Sequence, residues 1–406
     1  TTWPAVTQTF NFGQKPFKNT PSQGFLPLNS ATVRPNKVIP RPDQYVGVTT
    51  YSGDNSEYRL LSLNHQPDFT WFKERGNTRS HILSDTVTGI TKHLSSDTSD
   101  AQTSPSYPYV SSVDERGIVL RGGTSSGGNV SGRYYVAWAW KAGGNKNTFN
   151  VDDVGYATFA ASGTTAGTIT PTGTSIGTKQ GFSIIKYTGA GSAATLPHGL
   201  SQAPEFVLVK NLDSNYNWAV YHKDLTSAAY YLFLNNSDGQ SNNFYTFWNS
   251  TDPSSTVISL GADSSDSNVN TNKASQSHIC YAWHSVPGLQ KFGKYTGNLS
   301  TDGPYVELGF RPAVILCKSV TNGNNWFIKD NKRSSSGANP VNQRLYPNAN
   351  NAEMQQTTYH EVDFLSNGFK LRGNGSEDNA NNDTIIYAAW AEAPASNLFG
   401  GQSNAR

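Results

Sequence analysis

A stretch from Gly181 to Lys210, GFSIIKYTGAGSAATLPHGLSQAPEFVLVK, recurs in recognisable form twice more in this chain. Tyr187-Thr188-Gly189 leads to Pro204 and the strand Phe206 to Lys210. Tyr295-Thr296-Gly297 leads to Pro312 and Val314 to Lys318, and Tyr51-Ser52-Gly53 leads to Pro67 and Phe69 to Lys73. The tyrosine-to-proline distance is 17, 17 and 16 residues, and the proline-to-lysine distance is 6 in each copy. Eight residues past each lysine stands Trp218, Trp326 or His81, and each copy closes on Ala-Trp, at Trp140, Trp283 and Trp390. A period near 100 residues exceeds the ~20 to 50 of solenoids and propellers and has the size of a small domain.

The pattern within a copy is that of strands. Its apolar runs are short, rich in β-branched and aromatic residues and bounded by Gly, Asn and Ser. Pro67 to Lys73 is apolar on both faces of a period-two strand, which predicts burial on both sides inside a sandwich. No segment carries a helical period. The sequence therefore predicts an all-β chain of tandem, jelly-roll-like β-sandwich units, three copies of a repeat of about 100 residues, at 43–142, 182–288 and 289–395.

Around these units, residues 1–42 hold seven prolines, which break any central strand, and read as an extended arm or the end of a preceding domain. In 143–180, Gly, Ser, Thr and Ala fill 22 of 38 positions, so a linker over 143–181, or at most a loose hairpin, is expected. The second and third copies adjoin directly and are expected to share a fixed interface, while the first is expected to sit apart. Residues 396–406 read as a tail. A start at Thr1, with the single methionine at position 354, suggests a processed product or the C-terminal part of a longer protein.

Charge narrows the partners. With 15% charged residues against a usual ~25%, and a net charge of +2, the chain has no electrostatic footprint for nucleic acid or an anionic membrane surface. No apolar run approaches the ~18 residues of a membrane span. Two cysteines, Cys280 and Cys317, cannot supply a disulfide framework and lie in apolar strands, so they read as buried small hydrophobes.

The run GTITPTGTSIGTKQGFSIIKYTG, the Pro204-to-Lys210 strand, Phe247-Trp248-Asn249-Ser250-Thr251-Asp252-Pro253, Asp302-Gly303-Pro304 and Phe364 to Arg372 resemble a domain of unknown function at the C-terminal end of tail fibres of marine and cyanobacterial phages. The opening Phe12-Gly13-Gln14-Lys15-Pro16-Phe17 with Gly24-Phe25 resembles the end of a SPRY-like domain that often precedes it. The resemblance implies a virion protein, extracellular, homotrimeric, contacting other tail proteins and engaging a host-surface glycan or protein receptor. It implies no catalytic residue and no cofactor.

The residues point the same way. Glycoside cleavage needs two carboxylates flanking one bond, and Asp85, Asp224, Asp330, Glu205, Glu307 and Glu361 show no spacing that forces a pair. There is no G-x-S-x-G elbow and no metal-binding histidine spacing, and Asp263 to Asn268 lacks the glycine and glutamate of a complete Ca²⁺ loop. Neutral glycans are gripped by aromatic faces and by amide and hydroxyl groups, the types in excess here. The repeated tryptophans are expected in cores. Aromatics unique to one copy are the exposed candidates: Tyr107, Tyr109, Tyr216, Phe244, Tyr245 and Tyr346. The variable segments 98–109, 235–248 and 332–359 are where specificity is expected, with Arg344 and Tyr346 placed near a ligand, or else at a contact between units or subunits. A structural spacer and a glycan-cleaving depolymerase are the alternative readings.

Overall fold

The computed structural model describes residues 38–122, 127–242, 246–263, 271–334, 339–355 and 359–394. Among them the regular structure is strand, apart from two three-residue 3-10 turns at Pro42–Gln44 and Ala160–Ser162. The described residues are all-β and sandwich-like, and among them there is no barrel.

The first seven strands are β1 (Val46–Ser52), β2 (Arg59–Ser62), β3 (Phe69–Glu74), β4 (Ile82–Asp85), β5 (Val110–Asp114), β6 (Gly117–Leu120) and β7 (Tyr134–Trp140). They form a four-stranded sheet, β1-β7-β3-β4, and a three-stranded sheet, β2-β6-β5. Next come β8 (Phe149–Val151), β9 (Val154–Tyr156), β10 (Gly173–Gly177), β11 (Phe182–Thr188), β12 (Ala194–Pro197), β13 (Phe206–Asn211), β14 (Ala219–His222), β15 (Tyr230–Phe233), β16 (Ser241–Asn242), β17 (Val257–Leu260) and β18 (Ser277–Trp283). Here β11-β18-β13-β14 forms the middle of a nine-stranded sheet, opposite the pair β12-β17. The last strands are β19 (Gln290–Thr296), β20 (Tyr305–Glu307), β21 (Phe310–Ser319), β22 (Phe327–Asp330), β23 (Gln343–Arg344), β24 (Met354–Gln355), β25 (Val362–Leu365), β26 (Gly368–Leu371) and β27 (Thr384–Pro394). They give β19-β27-β21-β22, a smaller β20-β26-β25 and the pair β23-β24.

The three four-stranded groups share one order and one register. Trp140 pairs with Val46 and Phe69, Trp283 with Phe182 and Phe206, and Trp390 with Gln290 and Val314. Alternation along each central strand then sorts its side chains onto two faces. On one face Phe72, Val207 and Val209, and Ile315 and Cys317 enter three separate cores, each shared with the smaller sheet of the same sandwich. On the other, Phe69, Trp71, Phe206, Leu208, Val314 and Leu316 enter one common core. Trp140, Trp283 and Trp390 meet there, with ring centroids 5.2 Å and 6.1 Å from Trp390. The central strands are apolar on both faces because each closes its own sandwich and also faces the core common to all three.

The sheets are joined in a cycle. Trp218 donates its indole N–H to Ser95 O at 2.8 Å, and Trp326 donates to Phe233 O at 2.8 Å. Tyr281 donates to Asp85 Oδ2 at 2.8 Å and Trp138 to Asp330 Oδ2 at 3.0 Å, while His222 Nε2 lies 3.2 Å from Tyr387 O. The second sandwich thus holds the first, the third holds the second, and the first holds the third. The first does not sit apart: its aromatic inner face needs cover, and its neighbours provide it.

Segment 143–181 differs from the expected linker. β8 and β9 form a hairpin, and β10 runs antiparallel to β11 and parallel to β8, fully buried. Its small residues permit this close approach: a Cβ on Gly143 would stand 2.4 Å from the backbone of Ile176.

Candidate functional site

The repeated lysines, though charged, point into the interior. Lys73, Lys210 and Lys318 follow the inward residues of β3, β13 and β21 and are buried. Each ammonium is satisfied by carbonyls, as burial of a charge requires. Lys210 Nζ donates to Asn211 O and Ser99 O, both at 3.0 Å, and Lys318 Nζ to Ser319 O at 2.8 Å and Ser237 O at 3.0 Å. Lys73 bonds Glu74 O at 2.6 Å and Asn77 O at 3.1 Å. Burial lowers their pKa values to about 8, 7 and 8 for Lys73, Lys210 and Lys318.

Much of each variable segment is spent on the seams between sandwiches. In 98–109, Gln102 N–H donates to Leu212 O at 2.9 Å and Ala101 N–H to Asn215 Oδ1 at 3.0 Å. In 235–248, Gln240 N–H donates to Val320 O at 2.7 Å. In 332–359, Glu353 N–H donates to Arg75 O, and its carboxylate pairs with Arg75 at 2.7 Å and Arg333 at 3.0 Å. Arg333 is fully buried, with Nε 2.6 Å from Asp330 Oδ2 and its guanidinium over Trp138.

Arg344 and Tyr346 come together, but inside the third sandwich. Arg344 Nη1 lies 2.6 Å from Glu377 Oε2, its guanidinium sits 4.9 Å from the Tyr346 ring, and Tyr346 donates to Glu377 Oε2 at 3.1 Å. They are 4% and 7% exposed, so the expected exposure of Tyr346 is corrected, because β23 lies against β22 rather than in solvent. Tyr216 is half-buried in the loop that meets 101–102. Phe244, Tyr245 and most of the Asp263-to-Asn268 loop lie outside the described residues. Two carboxylates in the glycosidase argument have structural partners: Asp85 accepts from Val87 N, Thr88 N and Tyr281, and Asp330 from Lys332 N, Arg333 and Trp138. Both cysteines are buried and free.

One pair of sequence candidates does line a cavity. A cleft of about 380 Å³ is bordered by Thr78, Arg79, Ser80, Ile82, His93, Pro105, Tyr107 and Tyr109, with Asn350 contributed across the seam by the third sandwich. Tyr107 is 48% exposed, with the Arg121 guanidinium 5.5 Å from its ring centroid. Tyr109, expected to be exposed, is only 5% so, because its ring packs edge-on against His93 and Tyr135 and lies over Gly128. His93 Nε2 accepts the Tyr109 backbone N–H at 3.0 Å, and burial lowers its pKa to about 4, so the ring is neutral at ordinary pH. The cleft thus offers aromatic surface, hydroxyls, an amide and an arginine, and no carboxylate among its lining residues.

Sequence reasoning missed the exposed Tyr58, Tyr134, Tyr305 and Tyr359. Period-two alternation could have found Tyr134, whose neighbour Tyr135 faces the core. It also missed Arg79 and Asn350, since no local pattern announces a seam.

No group of three or more His, Cys, Asp or Glu among the described residues could hold a metal ion. No curated protein and no solved structure matches the chain. One family model does, over residues 41–394, the span that contains all three sandwiches, and the chain belongs to that family, the domain of unknown function DUF7483.

Proposed function

We propose that this chain is the distal, receptor-recognising part of a phage tail fibre, a virion protein that engages a host-surface glycan without cleaving it. The observation that carries the reading is the cleft at the seam of the first and third sandwiches, where an exposed tyrosine stands beside hydroxyl, amide and guanidinium donors. Sugar rings stack on aromatic faces while their hydroxyls bond to such groups. Cleavage by the two-carboxylate route lacks its groups at this cleft. A structural spacer is the second reading, favoured by the number of variable-segment residues engaged at seams. The phage assignment, the other tail proteins as partners and the homotrimer rest on the sequence resemblance.

Screening the purified protein on arrays of bacterial surface polysaccharides distinguishes these readings. Saturable binding is expected, lost at least about tenfold in Tyr107→Ala, as removal of a stacking contact worth about 1.4 kcal/mol gives, with thermal unfolding unchanged. Arg344→Ala should lower stability and leave glycan binding intact. No saturable binding would favour the spacer, whereas equal binding by Tyr107→Ala would place recognition away from this cleft.

A further inference from the structure

A larger cleft, about 610 Å³, lies between the segment Val38–Tyr45 and the second sandwich. One wall is aliphatic, from Val38, Ile39, Pro40, Val286 and Pro287; the other is polar and includes Lys179, Ser201, Gln202 and His284. Ser201 is exposed, and His284 beneath it is 3% exposed. Ser201 Oγ lies 3.3 Å from His284 Nε2, and His284 Nδ1 lies 2.9 Å from Ser285 O. A carbonyl oxygen can only accept, so Nδ1 carries the ring proton and Nε2 presents its lone pair to the Ser201 hydroxyl. The hydroxyl's other acceptor, Thr178 O, is farther, at 3.5 Å. Gly181 makes room for this: at φ +64° it lies so close to the imidazole that a Cβ would stand 2.7 Å from Cε1. Burial also lowers the His284 pKa, which keeps the ring neutral and its Nε2 lone pair free of a proton.

A hydroxyl on a neutral imidazole, with the imidazole oriented by a third group, is the arrangement of an activated nucleophile. We propose that Ser201 and His284 form a second, hydrolytic site that cleaves carboxylic esters of small apolar acyl groups, independent of the tyrosine cleft. Ser201 Oγ attacks the ester carbonyl carbon and gives its proton to His284 Nε2. The ester C–O bond breaks, and the alkoxide leaves as the alcohol with that proton. Water then attacks the acyl-serine carbonyl, passing a proton through Nε2 back to Ser201 Oγ, and the carboxylic acid departs. The aliphatic wall receives the acyl chain, while the Lys179 ammonium offers charge and the Gln202 amide a hydrogen bond to the oxyanion.

The test uses p-nitrophenyl butyrate with the whole chain, alongside a fluorophosphonate probe mapped by mass spectrometry. Release of p-nitrophenolate is expected to fall about 100-fold or more in Ser201→Ala and in His284→Gln, the size of a lost base-activated step, and the probe should label Ser201. Should either variant unfold at lower temperature than the wild type, labelling of the wild type decides: label on Ser201, blocked by the butyrate ester, supports the site. Undiminished hydrolysis in Ser201→Ala, or a wild type that neither turns over nor carries label on Ser201, overturns it. Neither result bears on glycan binding at Tyr107.

Discussion

Single residues here are governed by what burial does to their charge. His65, His93 and His198 are held to about 4 and His222 to about 3, each chiefly by desolvation, whereas an unfolded histidine titrates near ~6.5. Below that value the unfolded chain takes up protons that the folded chain refuses, so stability falls as pH drops, from about 6.5 down through about 4. Asp68, raised to about 6 by burial, acts oppositely between about 6 and 4; burial raises Asp85 and Asp97 as well, and the histidines outnumber these three. The lowered lysines extend the trend: between about 7 and 10.5 the unfolded lysine holds a proton that Lys210 has lost, so stability still rises with pH. Thermal midpoints measured from pH 4 to pH 9 should therefore increase throughout, most steeply between 4 and 6.5; a maximum near pH 5 would contradict these assignments. At this scale the sequence was only partly legible. Tyr107 and Tyr109 stood out as aromatics unique to one copy, and both line the cleft. Arg344 and Tyr346 stood out equally, yet Glu377, distant in sequence, closes over both.

Among the elements, the central strands were the most legible, because apolar residues at successive positions already required two covered faces. What covers the second face was not legible, since period-two alternation says that a side is buried but not against which neighbour. Phe206→Ala on β13 should cost about 3 to 5 kcal/mol in chemical denaturation, the usual loss for a large buried ring. Its ring sits 5.5 Å from Trp283 and 5.7 Å from Phe292, which belongs to the next sandwich. Tyr305→Ala, exposed on edge strand β20, should stay within about 0.5 kcal/mol. Equal costs would mean that the common core contributes little. For β8 to β10 the sequence reading offered only a linker or a loose hairpin, not the buried β10, for a different reason. Their glycines and threonines looked too small to bury anything, whereas small side chains are what allow backbone to lie against backbone at Gly143.

At the scale of the molecule, the expectation of a first unit set apart from a joined second and third gives way to three sheets around one core. Removing any one would expose the inner faces of the other two, so the sandwiches should not unfold separately. Calorimetry should find one cooperative transition rather than separate ones for the three sandwiches. Three resolved transitions would show that each sandwich stands alone.

The cyclic seams carry a further consequence. A ring assembled from three identical chains must place the same residue at every equivalent position, so any change is made three times over. A ring closed within one polypeptide escapes that obligation: the corresponding positions at the ends of β4, β14 and β22 are Asp85, His222 and Asp330, and each is free to diverge. That freedom allows an otherwise symmetric scaffold to place a tyrosine cleft at one seam and a serine–histidine pair at one edge, each built once and tuned without disturbing its two counterparts.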